Sequence, residues 1–169
     1  KIFLAGHKGM VGSHIYKELI NQGYKNIVTT SKEKLNLLNQ KKVEIFLKKI
    51  KPNVTIIAAA KVGGILANNN FKAEFIYENI MIQSNLIHSS YLAGVKNLIF
   101  LGSSCIYPKN APQPMKEKYL LTGKLEGTND AYSIAKISGI KMCESYSIQY
   151  NLNYKALMPA NMFGANDNY

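Results

Sequence analysis

Four side chains in this sequence have the types and spacing to move protons at an oxygen or carbon centre: Ser103, Cys105, Tyr132 and Lys136. In Tyr132-Ser133-Ile134-Ala135-Lys136 the phenol and the amine are four residues apart, which on a helix puts them on one face. An ammonium beside a phenol favours its anion and lowers its pKa. Such a phenol can donate a proton to a substrate oxygen, or take one from it, as a hydride moves. The spacing is common by chance on helices, and it becomes specific beside Ser103-Ser104-Cys105, which follows the apolar run Asn97–Leu101. A hydroxyl at Ser103 can hydrogen-bond and position a reacting carbonyl. A thiol at Cys105 can serve as acid or base at a C–H bond, or fill space as a small hydrophobe, and the residues alone leave both readings open.

A second group of residues is suited to holding phosphate. Gly6-His7-Lys8-Gly9-Met10-Val11-Gly12 is a GxxGxxG between the apolar stretch 1–5 and a helical pattern over 10–22. Small residues let the backbone turn tightly and approach a pyrophosphate, while the helix N-terminus offers N–H donors and the positive end of a dipole. The second strand ends in Thr29-Thr30-Ser31-Lys32, without the carboxylate that would hold the ribose 2′-OH of NAD. Hydroxyls and Lys32, with Lys8, suit a 2′-phosphate and point to NADP(H). A merely solvated Lys32 is the alternative, and Glu33 works against the phosphate.

The elements that must position these groups alternate along the chain. The pattern predicts strands over 1–5, 26–30, 54–59, 97–101 and 154–158 and helices over 10–22, 39–51, 71–91 and 130–150, with Asn39 as an N-cap and a possible short strand at 35–37. Residues 107–128 carry Pro108, Pro112 and Pro114 and read as a long surface loop of functional length. Strands alternating with helices predict α/β architecture with a doubly wound parallel sheet, whose strand ends deliver Ser103 to a ligand crevice.

Composition excludes several other classes. With 169 residues, 47% of them hydrophobic, the chain fits one globular domain, 1–169. No apolar run approaches the roughly 20 residues of a membrane span, and the start lacks a signal-peptide pattern, so a soluble cytoplasmic protein is expected. The net charge of +11 comes with 21 basic residues that are all Lys, scattered along the chain, and no Arg to read guanine edges, so no nucleic-acid partner is expected. Cys105 and Cys143 are read as free thiols, no metal site is expected, and His88 is read as a helix-packing residue. The chain ends at Asn166-Asp167-Asn168-Tyr169 without a terminal helix and reads as a truncation.

The segments 6–13, Ala58-Ala59-Ala60-Lys61-Val62-Gly63-Gly64-Ile65, Leu101-Gly102-Ser103-Ser104-Cys105-Ile106-Tyr107-Pro108, 132–136 and Met158-Pro159-Ala160-Asn161 resemble those of the GDP-L-fucose synthase family of extended short-chain dehydrogenases. The resemblance runs over essentially the whole chain. It implies a Rossmann-type sheet and NADPH-dependent conversion of GDP-4-keto-6-deoxy-D-mannose to GDP-L-fucose, by epimerisation at C3 and C5 and reduction at C4. It implies Tyr132 as proton donor at C4, Lys136 as ribose binder and modifier of the phenol, Ser103 as partner of the keto oxygen, and Cys105 as the epimerisation base. The cofactor wall it implies comprises Gly6, His7, Lys8, Gly9, Met10, Val11, Gly12, Lys32, Asn36, Leu37, Ala58, Ala59, Ala60, Leu101, Gly102, Ser103, Ser104, Tyr132, Lys136, Pro159, Ala160, Asn161 and Met162. It further implies a homodimer formed through a helix bundle, a second acid/base His beyond Tyr169, and a substrate lobe later in the chain. Lys8 and Lys32 stand where that family commonly has Arg, and Asn39 where it often has an acidic residue. Another sugar-nucleotide epimerase, or a 4,6-dehydratase, is the competing enzyme reading; a dehydratase would carry an Asp-Glu pair where Ser104-Cys105 stands. A noncatalytic NADP-binding scaffold is the competing reading of another class, and turnover by the full-length protein separates it.

Overall fold

Five short apolar runs of the chain become the strands of one parallel sheet. The computed structural model describes residues 1–165. In chain order the elements are β1 (Ile2–Ala5), α1 (Met10–Asn21), β2 (Ile27–Val28), α2 (Gln40–Ile50), β3 (Val54–Ile57), α3 (Ile65–Asn70), α4 (Lys72–Leu92), β4 (Asn97–Leu101), α5 (Asp130–Tyr150) and β5 (Asn153–Leu157). Single 3-10 turns occupy Ser104–Ile106 and Glu117–Tyr119. The strand order is β2-β1-β3-β4-β5 with every neighbour parallel, the doubly wound Rossmann-type arrangement expected from the alternation. The sheet grows one way from β1 to β2 and the other way from β1 to β3, so a switch point lies between β1 and β3.

Local chemistry explains the element ends. The Asn39 side chain accepts from the Lys42 N–H at 3.0 Å, capping α2 as its position suggests. That helix closes on Lys51 in the left-handed region, followed by Pro52, with Lys48 and Lys49 beside the negative end of its dipole. In β4, Leu98 and Phe100 are buried while Asn97, Ile99 and Leu101 are half-buried, as alternation on a pleated strand requires. The core joins Phe3, Leu47, Leu86, Ile87, Leu98, Phe100 and Ile140, where α2 and α5 each pack against α4 over the sheet. Helix α4 lies between α2 and α5, so its buried polar residues must find partners inside the protein. Asn85 donates to the Leu37 carbonyl at 2.8 Å, and the Ser90 hydroxyl donates to Thr55 at 3.2 Å.

Four expectations change. Strand β2 is two residues long instead of the five over 26–30. No strand forms at 35–37: Leu35 is buried in the core, and the Leu37 carbonyl is taken by the Asn85 amide rather than by a neighbouring strand. A separate helix, α3, precedes α4. The loop 107–128 is only partly a surface segment, because Tyr107 is buried and Ala111, Tyr119, Leu120 and Leu125 pack against the core. An ion pair between Lys109 and Glu126 ties its two arms at 2.8 Å. Cys105 and Cys143 are free thiols, as read from the sequence. His88 packs between helices, its Nδ1 2.7 Å from the Tyr146 hydroxyl on α5. No helix among the described residues is long and apolar enough to cross a membrane.

The register decides what the fold can do. Ala5 pairs with Ile57, Ile57 with Phe100, and Leu101 with Leu157. The residues that follow these strand ends, beginning at Gly6, Ala58, Gly102 and Met158, therefore emerge along a single edge of the sheet.

Candidate active site

Along that edge runs a cleft of about 960 Å³, lined by the loops after β1, β2, β3, β4 and β5 together with the starts of α1 and α5. At its β1 side, Gly6 has φ +90, and a Cβ there would come within 2.5 Å of the Ala59 nitrogen. Glycine is thus required both by the turn and by the approach of the two loops. A Cβ on Gly12 would lie 2.0 Å from the Gly6 carbonyl oxygen, so the first turn of α1 rests directly on the glycine loop. Gly9 differs: a Cβ there meets nothing nearer than 3.6 Å. Gly9 caps α1 without a side-chain hydrogen bond, which leaves first-turn N–H groups for an anion.

Lys8 and Lys32 line the cleft and are exposed. Between them Glu33 is held below the usual carboxylate range, first by a hydrogen bond from Ser31, then by its own backbone N–H and by the charges of Lys8 and Lys32. The carboxylate that tempers a 2′-phosphate reading is therefore ionised and sits beside both lysines. Asn36 folds over its own loop, its side chain accepting from the Leu38 N–H at 3.0 Å.

At the opposite end the proton-transfer candidates meet below the end of β4. The Lys136 ammonium donates to the Leu101 carbonyl at 2.8 Å and lies 5.6 Å from the centroid of the Tyr132 ring. Ser103, just after β4, caps the 3-10 turn and accepts from the Cys105 N–H at 3.4 Å. The Ser133 hydroxyl donates to the Cys105 carbonyl at 2.9 Å, fixing that turn to the start of α5. Cys105 is half-buried and does not line the cleft, yet it is close enough to couple electrostatically with both Tyr132 and Lys136.

The expected lowering of the Tyr132 pKa is not what the geometry gives. Burial pushes the phenol well above its ordinary value, and the Cys105 thiol adds to the shift. The reason is that the ammonium is committed to Leu101 instead of the phenol, and is itself brought down to about 8 by burial. Tyr132 is consequently a neutral proton donor in this state, which suits protonation of a nascent alkoxide better than abstraction from a hydroxyl.

Every cofactor-wall residue expected from the sequence lines this one cleft, as do Ser103, Tyr132 and Lys136. Sequence reading missed Glu78 and Ile82, which reach the cleft from α4 and sit in no recognisable motif. It also left Lys61 and Val62 off the wall, although the glycines after them signal a tight loop. Lys61 pairs with Glu78 at 2.6 Å, and its backbone is clamped by Asn79, which accepts from its N–H and donates to its carbonyl, each at 2.9 Å. The place expected for a second acid/base His, past residue 169, lies outside the described residues.

Comparison with known proteins agrees with this geometry. Residues 2–169 match the NAD dependent epimerase/dehydratase family. Over all 169 residues the chain is 54% identical to GDP-L-fucose synthase 1 of Arabidopsis thaliana, covering 52% of that protein, and 51% identical to GDP-L-fucose synthase of Escherichia coli, covering 53%. The structure is similar to a GDP-mannoheptose C4 reductase from Campylobacter jejuni solved with NADP bound, with a TM-score of 0.94 and 44% identity over 99% of this chain and 53% of the other. The chain spans about half the length of the relatives it matches.

Proposed function

From the premise that this chain belongs to the NAD dependent epimerase/dehydratase family, we propose that it is the cofactor-binding and proton-transfer half of an NADPH-dependent GDP-L-fucose synthase. The whole protein would epimerise GDP-4-keto-6-deoxy-D-mannose at C3 and C5 and reduce it at C4. The observation that carries this reading is the convergence of Ser103, Cys105, Tyr132 and Lys136 around the end of β4, beside a cleft built for a dinucleotide.

The cleft residues fit the cofactor. A Cβ would fill the space where Gly12 meets Gly6, and the uncapped start of α1 faces the cleft, as a pyrophosphate requires. In this proposal the 6–12 loop holds the pyrophosphate, and Lys8 and Lys32 hold the 2′-phosphate. The segments 58–60 and 159–162 wall the cleft, and Lys136 holds the ribose. When bound, NADPH supplies the hydride for C4. Ser103 orients the keto oxygen, and the neutral Tyr132 phenol delivers a proton to it. Cys105 removes a proton from C3 and C5, whose hydrogens the C4 ketone acidifies, and the second acid/base group expected beyond Tyr169 returns a proton to the opposite face of each carbon.

A second substrate assignment, another GDP-sugar, is favoured by one observation: the similar Campylobacter enzyme is a GDP-mannoheptose C4 reductase. Parallel turnover of both sugars by the full-length protein decides between them. The protein is further proposed to be cytoplasmic and to pair as a homodimer through α4 and α5, on which Tyr77 and Ile148 are exposed. Light scattering on the Ile148→Lys variant checks the dimer and is expected to show a shift to monomer.

The test of the chemistry separates two bonds. Full-length Cys105→Ser is expected to lose solvent deuterium incorporation at C3 and C5 while retaining NADPH oxidation. Tyr132→Phe is expected to exchange deuterium while losing most C4 reduction. Wild-type exchange in Cys105→Ser removes Cys105 from the mechanism.

A further inference from the structure

Lys136 presents a problem that the proposed mechanism does not address. It is 4% exposed, and none of the ion pairs among the described residues includes it. A buried ammonium without a counter-charge is costly unless other groups stabilise the cation. The Leu101 carbonyl accepts one of its three protons. The residue before Leu101, Phe100, is fully buried, and its ring centroid lies 4.8 Å from the Lys136 ammonium, nearer than the 5.6 Å to Tyr132. That is within cation–π range, and the attraction grows when the cation is desolvated.

The ring is locked where it is. A Cβ on Gly139, three residues beyond Lys136 on α5, would stand 2.6 Å from Phe100 Cζ and 2.8 Å from Cε1. Glycine at 139 therefore lets Phe100 reach across to α5. The groups facing Lys136 are few. Tyr132 belongs to its own helix, Cys105 comes from the 3-10 turn, α4 presents the uncharged Gln83 amide to α5, and Glu78 on the cleft wall is paired with Lys61. Strand β4 supplies the Leu101 carbonyl and the Phe100 ring.

We propose that Phe100 is a positioning residue for Lys136, its ring face taking the place of a counter-ion and its lock on Gly139 fixing where the ammonium sits beside Tyr132. This rests on the reading above, in which Lys136 and Tyr132 take part in C4 reduction. Burial already brings Lys136 down to about 8, so any lost cation stabilisation empties its protonated form near neutral pH. Losing about one pH unit would cut the protonated share at pH 7.5 roughly threefold.

The test uses full-length protein with isotope-labelled lysine, the Lys136 signal being assigned by its loss in Lys136→Arg. Two replacements are compared. Phe100→Leu removes the ring. Replacement of Phe100 by 2,6-difluorophenylalanine keeps the ring's shape, places the fluorines on Cδ1 and Cδ2 instead of on the Cζ and Cε1 that meet Gly139, and weakens the face. Both are expected to lower the Lys136 titration midpoint by roughly 0.5 to 1.5 pH units and to shift the pH profile of kcat for C4 reduction the same way. The fluorinated protein should melt as the parent does. An unchanged midpoint in the fluorinated protein overturns the proposal and leaves Phe100 a packing residue, whatever Phe100→Leu does to folding. If the parent fails to reduce the GDP-sugar yet the midpoint still falls, the substrate reading fails and the role of Phe100 stands.

Discussion

Replacing Gly12 by Ala tests the geometry of the cofactor cleft more sharply than any change to a charged residue. The added Cβ would sit 2.0 Å from the Gly6 carbonyl oxygen and 2.7 Å from the Gly6 carbonyl carbon. Reaching an ordinary contact of 3.4 Å requires a movement of about 1.4 Å, and both partners are backbone, so no side chain can swing aside. Gly6 has no room to retreat, because it already packs on Ala58 and Ala59. The start of α1 must therefore separate from the loop, at a cost of about 3 kcal/mol, the upper end for overpacking. In the full-length protein, about twice the length of this chain, this is expected to lower the melting temperature by roughly 4 to 5 °C. A loop displaced by more than 1 Å should also reduce kcat/KM for NADPH about a hundredfold. Gly9→Ala is the internal control: its nearest contact is 3.6 Å and its backbone is extended, so the cost should be about 1 kcal/mol or less. Calorimetry and steady-state kinetics on the two variants give the comparison. Gly12→Ala melting within about 2 °C of the parent, or Gly9→Ala collapsing as far as Gly12→Ala, would refute the argument.

Lys32→Ala should weaken NADPH binding roughly tenfold, the scale of one charge-assisted hydrogen bond, and leave NADH nearly unchanged by calorimetric titration. The pKa of Lys136 is depressed from 10.5 to about 8 in the folded state, so between those values the unfolded chain binds more protons and stability rises with pH. Denaturant unfolding of the parent should accordingly gain on Lys136→Met as pH increases from 7.5 to 10. Cys143, pushed up to about 12 by burial, acts in the opposite sense above pH 9, and it cancels because both proteins contain it. Asn39→Ala should cost about 1 kcal/mol, measured by the same unfolding experiment, through loss of the cap on Lys42.

Much of this site could be read along the chain, and the reason lies in the parallel sheet. Strands joined by right-handed crossovers must all run one way, so the residues after each strand share an edge wherever the helices fall. That is why the segments 6–12 and 101–104 could be assigned to one cleft from local pattern, and why 58–60 and 159–162, which the family resemblance supplied, line the same cleft. Tyr132 and Lys136 were equally legible, being one helical turn apart. Short-range signals failed where a side chain replaced an expected backbone partner, as Asn85 does at Leu37. What only the tertiary structure decided depends on sums over residues far apart in sequence. The three glycines look alike in a motif, but Ala59 and the Gly6 carbonyl make two of them indispensable and leave Gly9 free. The i, i+4 rule put an ammonium near a phenol without saying that Leu101 and Phe100 would claim it first. Tyr132 is raised rather than lowered for that reason: burial acts on the phenol from every direction, while the nearest cation is directed elsewhere.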